Sequence, residues 1–108
     1  SDKRVYDGAG LDKAVELANK PQLNFMGYTM MGKEKNEKAM EYFKLNVKRN
    51  PKDANVHDSL GECYRKVGNN KAAVKEFKTS LSLSPIPGVK ANSIRNLKEM
   101  GEDTSTYE

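Results

Sequence analysis

The feature that most constrains the fold of this chain is an internal repeat with a period of 34 residues. When the sequence is shifted by 34 positions against itself, identical residues coincide along its central part. The coinciding pairs are Gly27 with Gly61, Asn36 with Asn70, Ala39 with Ala73, Phe43 with Phe77, Lys44 with Lys78, and Pro51 with Pro85. Periods of about 20 to 50 residues are typical of proteins in which one small structural unit recurs and stacks on its neighbours. The repeat predicts two consecutive units, residues 20–53 and 54–87.

Each unit has the pattern of two helices joined by a turn. In the second unit, apolar residues recur every three or four positions over 56–67 and again over 73–81, which is helical spacing. The first unit shows the same spacing over 23–31 and 39–47. The segment "NPKD" ends the first unit because a residue before proline avoids the helical region, and Asp53 is suited to cap the next helix.

Two glycines stand in the middle of predicted helices, Gly27 and Gly61. A glycine there costs about 1 kcal/mol relative to alanine. That cost is explained if a neighbouring helix approaches closely at this point. We expect Phe43 and Phe77 to fill the space between the two helices of each unit.

These positions resemble the tetratricopeptide repeat, a 34-residue unit with characteristic apolar, Leu-Gly, Tyr, Ala, Phe and Pro positions. The matching residues are Leu23, Met26-Gly27, Met30, Ala39, Phe43 and Pro51 in the first unit, and His57, Leu60-Gly61, Tyr64, Ala73, Phe77 and Pro85 in the second. The departures are His57 at an apolar position, Met30 where tyrosine is usual, Asn46 and Ser80 where a small residue is usual, and an irregular first turn, with Gly32 early. The resemblance implies an all-α fold of helix-turn-helix repeats forming a short right-handed superhelical stack.

The flanks of the two units predict capping elements. Residues 9–19 and 88–101 each have helical apolar spacing, and two repeats alone usually need such caps. Leu11, Ala14, Val15 and Ala18 are expected to face inward from the first of these helices. We expect residues 1–8 to be disordered or extended and residues 102–108 to form a polar tail.

The first residues contain no apolar segment of the kind that a signal peptide needs. We expect the chain to be a domain excised from a longer protein. The sequence leaves the compartment open between cytoplasm and periplasm.

The stretch "HDSLGECY" at 57–64 concentrates residue types used in catalysis. Consecutive helical residues point about 100° apart, so His57, Asp58 and Ser59 do not converge as base, orienting residue and nucleophile. Catalysis by this chain would instead require His57, Glu62 and Cys63 to meet in a pocket. One histidine and one cysteine are too few for a structural zinc site. The sequence therefore predicts no catalytic residue, no metal and no cofactor.

Charge and hydropathy narrow the class of partner. The net charge is +4 and 31% of the residues are charged, but the lysines alternate with acids instead of forming a basic stripe. Such a stripe, with stacking aromatic residues, is typical of nucleic-acid binding. No apolar run approaches the roughly 20 residues that span a bilayer. We predict a protein or peptide partner, no nucleic acid and no membrane, and the exposed end helices leave a homo-oligomer open.

The resemblance also identifies candidate binding residues, because in this family the first helix of each pair lines a concave groove. The candidates are Asn24, Tyr28, Asn55, Asp58, Ser59, Glu62, Arg65, Lys66, Asn92 and Asn96. An ordinary solvated surface remains the alternative for these positions. Some family members clamp a peptide carboxylate with Lys and Asn. Asn24, Tyr28 and Ser59 stand at such positions here, so the clamp is not reproduced.

The leading functional prediction is a non-catalytic module that binds a protein or peptide in this groove. A narrower resemblance offers an alternative, because "LNFMGY", "FKLNV" and "DSLGE" are similar to tetratricopeptide tails of bacterial serine hydrolases. That resemblance implies an accessory C-terminal domain of an esterase-like enzyme, packing on its catalytic domain or oligomerising it. The sequence upstream of Ser1 would discriminate, since a nucleophile-elbow motif there would favour the hydrolase.

Overall fold

The computed structural model describes the chain from residue 9, and its side chains from residue 13. That part consists of α-helices and one short 3-10 helix, without a strand. The elements are α1 (Ala9–Leu17), α2 (Lys20–Gly32), α3 (Asn36–Arg49), α4 (Ala54–Lys66), α5 (Asn70–Ser82), α6 (Pro87–Glu99) and the 3-10 helix Ser105–Tyr107. The predicted all-α fold is confirmed. The expectation for residues 1–8 lies outside the described residues.

The helices pack as successive pairs. The most extensive contacts join α4 to α5 and α2 to α3, and α3 and α5 each also pack on the first helix that follows them. The first helices touch one another as well, α2 with α4 and α4 with α6. The resulting body measures 52 × 24 × 18 Å, as expected for helices about 20 Å long lying side by side roughly 8–10 Å apart.

Polar side chains begin three of the helices. Asn19 accepts a hydrogen bond from the Gln22 backbone N–H, at 2.9 Å, while the Gln22 side chain accepts one from the Asn19 backbone, at 2.8 Å. Asp53 accepts from the Asn55 N–H at 2.8 Å, and Asn69 accepts from the Ala72 N–H at 3.3 Å. These caps satisfy backbone donors that have no partner within the helix, so they fix where α2, α4 and α5 begin.

The turns within the two units have the same conformation, although their sequences differ. Glu34 and Gly68, which are 34 residues apart, both have positive φ, 60° and 87°. The following residues, Lys35 and Asn69, donate equivalent backbone hydrogen bonds of 2.9 Å to Met30 and Tyr64. The expectation of an irregular first turn is therefore wrong, because Glu34 adopts the left-handed conformation that glycine adopts in the second unit.

The predicted close approach at the mid-helix glycines is present in both units. A Cβ placed on Gly27 would lie 2.4 Å from the Phe43 ring, and one on Gly61 would lie 2.8 Å from the Phe77 ring. Both phenylalanines are fully buried. Glycine is needed at these positions because a ring of the second helix lies directly against the backbone of the first.

Two buried polar residues close each pair in the same way. The Asn46 side chain donates to the carbonyl of Lys20 at 3.0 Å, and the Ser80 hydroxyl donates to the carbonyl of Ala54 at 2.8 Å. Donors and acceptors are both displaced by 34 residues. Asn46 and Ser80, which depart from the expected small residue, therefore join the end of the second helix to the start of the first.

The last seven residues do more than the predicted polar tail would. Leu97 of α6 is buried with Phe77 and Leu81, and Tyr107 of the 3-10 helix packs against that cluster. Thr104 is also buried, and its hydroxyl donates to the Glu108 carboxylate at 2.7 Å. The tail folds back and covers the core at the C-terminal end of the stack.

Candidate functional site

The ten candidate residues lie on the three helices that begin successive pairs. We call the surface formed by these helices the α2–α4–α6 face. Its members are Asn24 and Tyr28 on α2; Asn55, Asp58, Ser59, Glu62, Arg65 and Lys66 on α4; and Asn92 and Asn96 on α6. The structure brings these helices into contact with one another, so the candidates belong to one continuous surface.

Three of the candidates are not available to a partner. Asp58, Ser59 and Asn96 are all buried. The expectation that their side chains contact a ligand in the groove needs correction. The neighbouring first helix, one repeat away, covers them and takes up their hydrogen bonds.

The bonds between these helices repeat with the period of the sequence. The Ser59 hydroxyl donates to Asn24 Oδ1 at 2.6 Å, and the Ser93 hydroxyl donates to Asp58 Oδ1 at 2.6 Å. Both donor and acceptor move by 34 residues between the two bonds. The same polar contact therefore fixes α4 on α2 and α6 on α4.

Asn92 and Arg65 strengthen the contact between α4 and α6. The Asn92 amide donates to both Asp58 carboxylate oxygens, at 3.1 and 2.8 Å, and to Glu62 at 3.0 Å. The Arg65 guanidinium donates to Asn96 at 2.7 Å and to Glu99 at 2.8 Å. Because hydrogen bonds to charged groups are stronger than neutral ones, these contacts hold α4 and α6 in a defined register.

Burial changes the acid–base chemistry of two residues on this face. It raises the pKa of the Asp58 carboxyl above its ordinary value, against the hydrogen bonds from Ser93 and Asn92 that lower it. It also raises the pKa of Tyr28 to about 12, in spite of a hydrogen bond with Ser59. The Tyr28 phenol is therefore neutral at physiological pH and can act as a hydrogen-bond donor.

The accessible part of the face is smaller than predicted and includes one residue that the sequence reasoning missed. Tyr28 is 37% exposed, with its ring held edge-on to Phe43 at 5.1 Å. Asn55 and Lys66 are exposed and Glu62 is half-buried. Lys66 pairs with Glu34 at 3.2 Å, between two exposed side chains.

The residue that was missed is Arg95, an exposed cation on α6. It bonds Asn92 and pairs with Glu99 at 3.5 Å. A signal for this cluster was present in the sequence, because Arg65 and Glu99 are opposite charges separated by one repeat. Residues one repeat apart on stacked first helices become neighbours.

The residues of "HDSLGECY" diverge instead of forming a site. His57 directs its ring nitrogens to Glu76 and to the Pro51 carbonyl, each at 2.7 Å. Glu62 contacts Asn92 on the opposite side, and Cys63 is buried in the core, where burial raises the pKa of its thiol. The geometry that catalysis by His57, Glu62 and Cys63 would require is not formed.

Within the described part of the chain, no group of three histidine, cysteine or acidic side chains is arranged to hold a metal ion. Over the same residues, no helix is long and apolar enough to cross a membrane.

The architecture places the chain in the class of helical-repeat proteins built from stacked helix-turn-helix pairs. The tetratricopeptide-repeat family model matches residues 54–87, which are α4, α5 and the turns around them. The chain also resembles the Hsp70-Hsp90 organizing protein of Triticum aestivum, with 30% identity over 59 residues, 55% of this chain and 10% of that protein. No solved structure matches the chain significantly.

The chain is a member of the tetratricopeptide-repeat family, as its sequence pattern predicted. The family match covers the second unit, and the first unit repeats its turn, its glycine–phenylalanine contact and its interhelical hydrogen bonds. This chain corresponds to only about a tenth of the length of the wheat relative. Family membership identifies a module of the kind used for protein interaction.

Proposed function

We propose that the chain is a non-catalytic binding module that takes a peptide or protein segment on the α2–α4–α6 face. The observation that carries this proposal is the repeated set of buried hydrogen bonds linking the three helices. These bonds fix the helices in register before a partner arrives. Rigid positioning of a binding surface reduces the entropy lost on association.

The accessible residues suit a segment with both apolar and acidic side chains. Tyr28 offers an aromatic ring with a neutral hydroxyl, and tyrosine often contributes strongly to protein interfaces. Lys66 and Arg95 provide positive charge beside the half-buried Glu62. Exposed ion pairs such as Lys66–Glu34 contribute little to stability, so a partner carboxylate can replace Glu34 at small cost.

The name of the wheat relative refers to Hsp70 and Hsp90, and we do not propose these partners for this chain. Asn24, Tyr28 and Ser59 occupy the positions that resemblance to the family associates with a carboxylate clamp. Ser59 is buried and donates its hydroxyl to Asn24. Neither residue supplies the cation that would neutralise a terminal carboxylate.

The accessory-domain alternative remains a prediction. The resemblance to hydrolase tails rests on short sequence segments, and no contact among the described residues favours it over peptide binding. The sequence preceding Ser1 in the parent gene is the observation that would decide it.

The proposal is tested with a random peptide library selected against the immobilised protein. The affinity of a selected peptide is then measured by calorimetry for the wild type, Tyr28→Ala and Lys66→Ala. We expect each substitution to weaken binding, on the order of tenfold for Tyr28→Ala, since central aromatic residues commonly contribute more than 1 kcal/mol.

The control variants are Phe25→Ala, an exposed aromatic residue on the same helix, and Lys48→Ala, an exposed lysine on α3. Both should retain wild-type affinity, and circular dichroism should show that every variant is folded. The proposal fails if no peptide is selected, or if the two control variants weaken binding as much as Tyr28→Ala does.

A further inference from the structure

We infer that the N-terminal end of the stack, formed by α1 and α2, is a self-association surface on which a second copy of this chain docks. This inference concerns a different surface from the proposed peptide-binding face. It is carried by an open apolar groove, by the order of the repeats and by the distribution of charge.

The groove lies between α1 and α2 and has a volume of about 550 Å³. Its lining residues are all uncharged: Ala14, Leu17, Ala18, Pro21, Gln22, Phe25 and Met26. Leu17 is 71% exposed and Phe25 is 73% exposed. The expectation that Ala14 faces inward is wrong, because this residue is exposed in the groove. Large side chains left so open together commonly mark an interaction surface.

The repeat explains what kind of surface this is. Phe25 corresponds by the 34-residue period to Ser59 and Ser93, and both serines are buried beneath the preceding first helix. Within the described residues no first helix precedes α2, so Phe25 occupies the same kind of interface with its outer side open. The groove thus continues the helix–helix interface of the stack.

The residue type at this position indicates the chemistry of the occupant. Ser59 and Ser93 each bond an asparagine or aspartate of the covering helix. Phe25 cannot make that hydrogen bond and instead favours an apolar covering group. A second copy presents such groups, since its own Leu17 and Phe25 project in the same way.

Charge favours a second copy at this end over contact between copies elsewhere. The chain has a net charge of +4 and 31% charged residues, so most contacts between two copies would bring like charges together. Like-charge contacts oppose association. The α1–α2 groove, with no charged lining residue, is a surface on which two copies meet without that penalty.

The opposite end of the stack limits the assembly to two chains. There Tyr107 packs on the core and Thr104 is buried, so the tail leaves no equivalent groove. With one adhesive end, the same patch must pair with itself, which gives a closed isologous dimer and no filament. An end face of 24 × 18 Å provides roughly 400 Å² per copy, below a standard interface, so the dimer is weak.

The experiment is sedimentation equilibrium of the full chain from about 10 μM to about 1 mM, a range suited to an interface below standard size. We expect a reversible monomer–dimer equilibrium in the wild type. Phe25→Glu should abolish the dimer, because it places two carboxylates opposite each other. Ile86→Glu, at an equally exposed apolar residue away from the groove, should leave the dimer unchanged.

A charge-reversal pair makes the test specific. Phe25→Glu and Phe25→Lys should each be monomeric alone and should form a heterodimer when mixed, since the proposed contact places residue 25 near its counterpart. A monomeric wild type at all concentrations would overturn the inference. So would a dimer insensitive to Phe25→Glu, the absence of a heterodimer, or growth to larger oligomers. Retained peptide binding by monomeric Phe25→Glu separates this result from the proposed function.

Discussion

At the scale of single residues, the fit between Gly27 and Phe43 shows most clearly how the sequence specifies the packing. Alanine is the better helix former by about 1 kcal/mol, yet its methyl group would lie 2.4 Å from the ring. The fully buried ring has little room to move. Gly32, in the same helix, has no atom within 4 Å of a Cβ position and therefore provides a matched comparison.

We predict that Gly27→Ala lowers the free energy of unfolding by about 1–3 kcal/mol through overpacking, whereas Gly32→Ala leaves it unchanged or raises it slightly. Urea denaturation of the two variants measures both effects. Equal stability of Gly27→Ala and Gly32→Ala would show that the ring does not require glycine.

The buried carboxyl of Asp58 gives a prediction about pH. Because burial raises its pKa in the folded state above the ordinary value of 3.8, the folded protein keeps a proton that the unfolded chain loses as pH rises. The contribution of Asp58 to stability therefore falls as pH rises from 3.8 through the folded-state value. Asp58→Asn removes this titration, and Asn24 shows that asparagine can accept the equivalent serine bond.

We expect the unfolding free energy of Asp58→Asn, relative to wild type, to increase as pH rises through that window and to level off above it. Urea denaturation at a series of pH values provides the data. Asp103→Asn should show the opposite slope, since the hydrogen bonds from Ser105 lower the pKa of Asp103. A pH-independent difference for Asp58→Asn would contradict the role given to burial.

The sequence predicted some of these residue roles and missed others for a physical reason. Gly27 and Gly61 were identified because a mid-helix glycine is costly and needs a compensating contact. Asp58 and Ser59 were expected to face a partner because their own helix leaves that side open. Their burial depends on a helix one repeat away, which the spacing along a single helix does not show.

At the scale of elements, the tail is the feature that changes the predicted organisation most. Tyr107 adds to the cluster around Leu97, and Lys98 pairs with Glu108 at 2.8 Å. The sequence did not indicate this, because one aromatic residue among polar neighbours has no periodicity. The central helices, by contrast, were predictable from apolar spacing and from the residues that end them.

We predict that deletion of residues 103–108 lowers the free energy of unfolding by about 1–2 kcal/mol, because part of the Leu97 cluster loses its cover. Tyr107→Ala should reproduce most of this loss. Thr106→Ala, at an exposed position beside it, should have no measurable effect. Thermal unfolding tests the three variants, and a truncated chain as stable as the full one would show that the tail is not part of the fold.

At the scale of the whole molecule, the period of 34 residues was sufficient to predict a stack of helix pairs. Residues 34 or 35 apart on first helices became bonding partners, as Asn24 with Ser59 and Asp58 with Ser93 show. The sequence could not show how much of the α2–α4–α6 face these bonds would consume. The face available to a partner is therefore narrower than expected, and is centred on Tyr28, Glu62 and Lys66.

The central claim is that this narrowed face binds a peptide segment. The most direct measurement is the change in amide chemical shifts when the ¹⁵N-labelled protein is titrated with a library-selected peptide. The account predicts that the perturbed amides cluster on α2, α4 and α6 around Tyr28, Glu62 and Lys66. Perturbations confined to α3 and α5, or to the groove around Leu17 and Phe25, would contradict it.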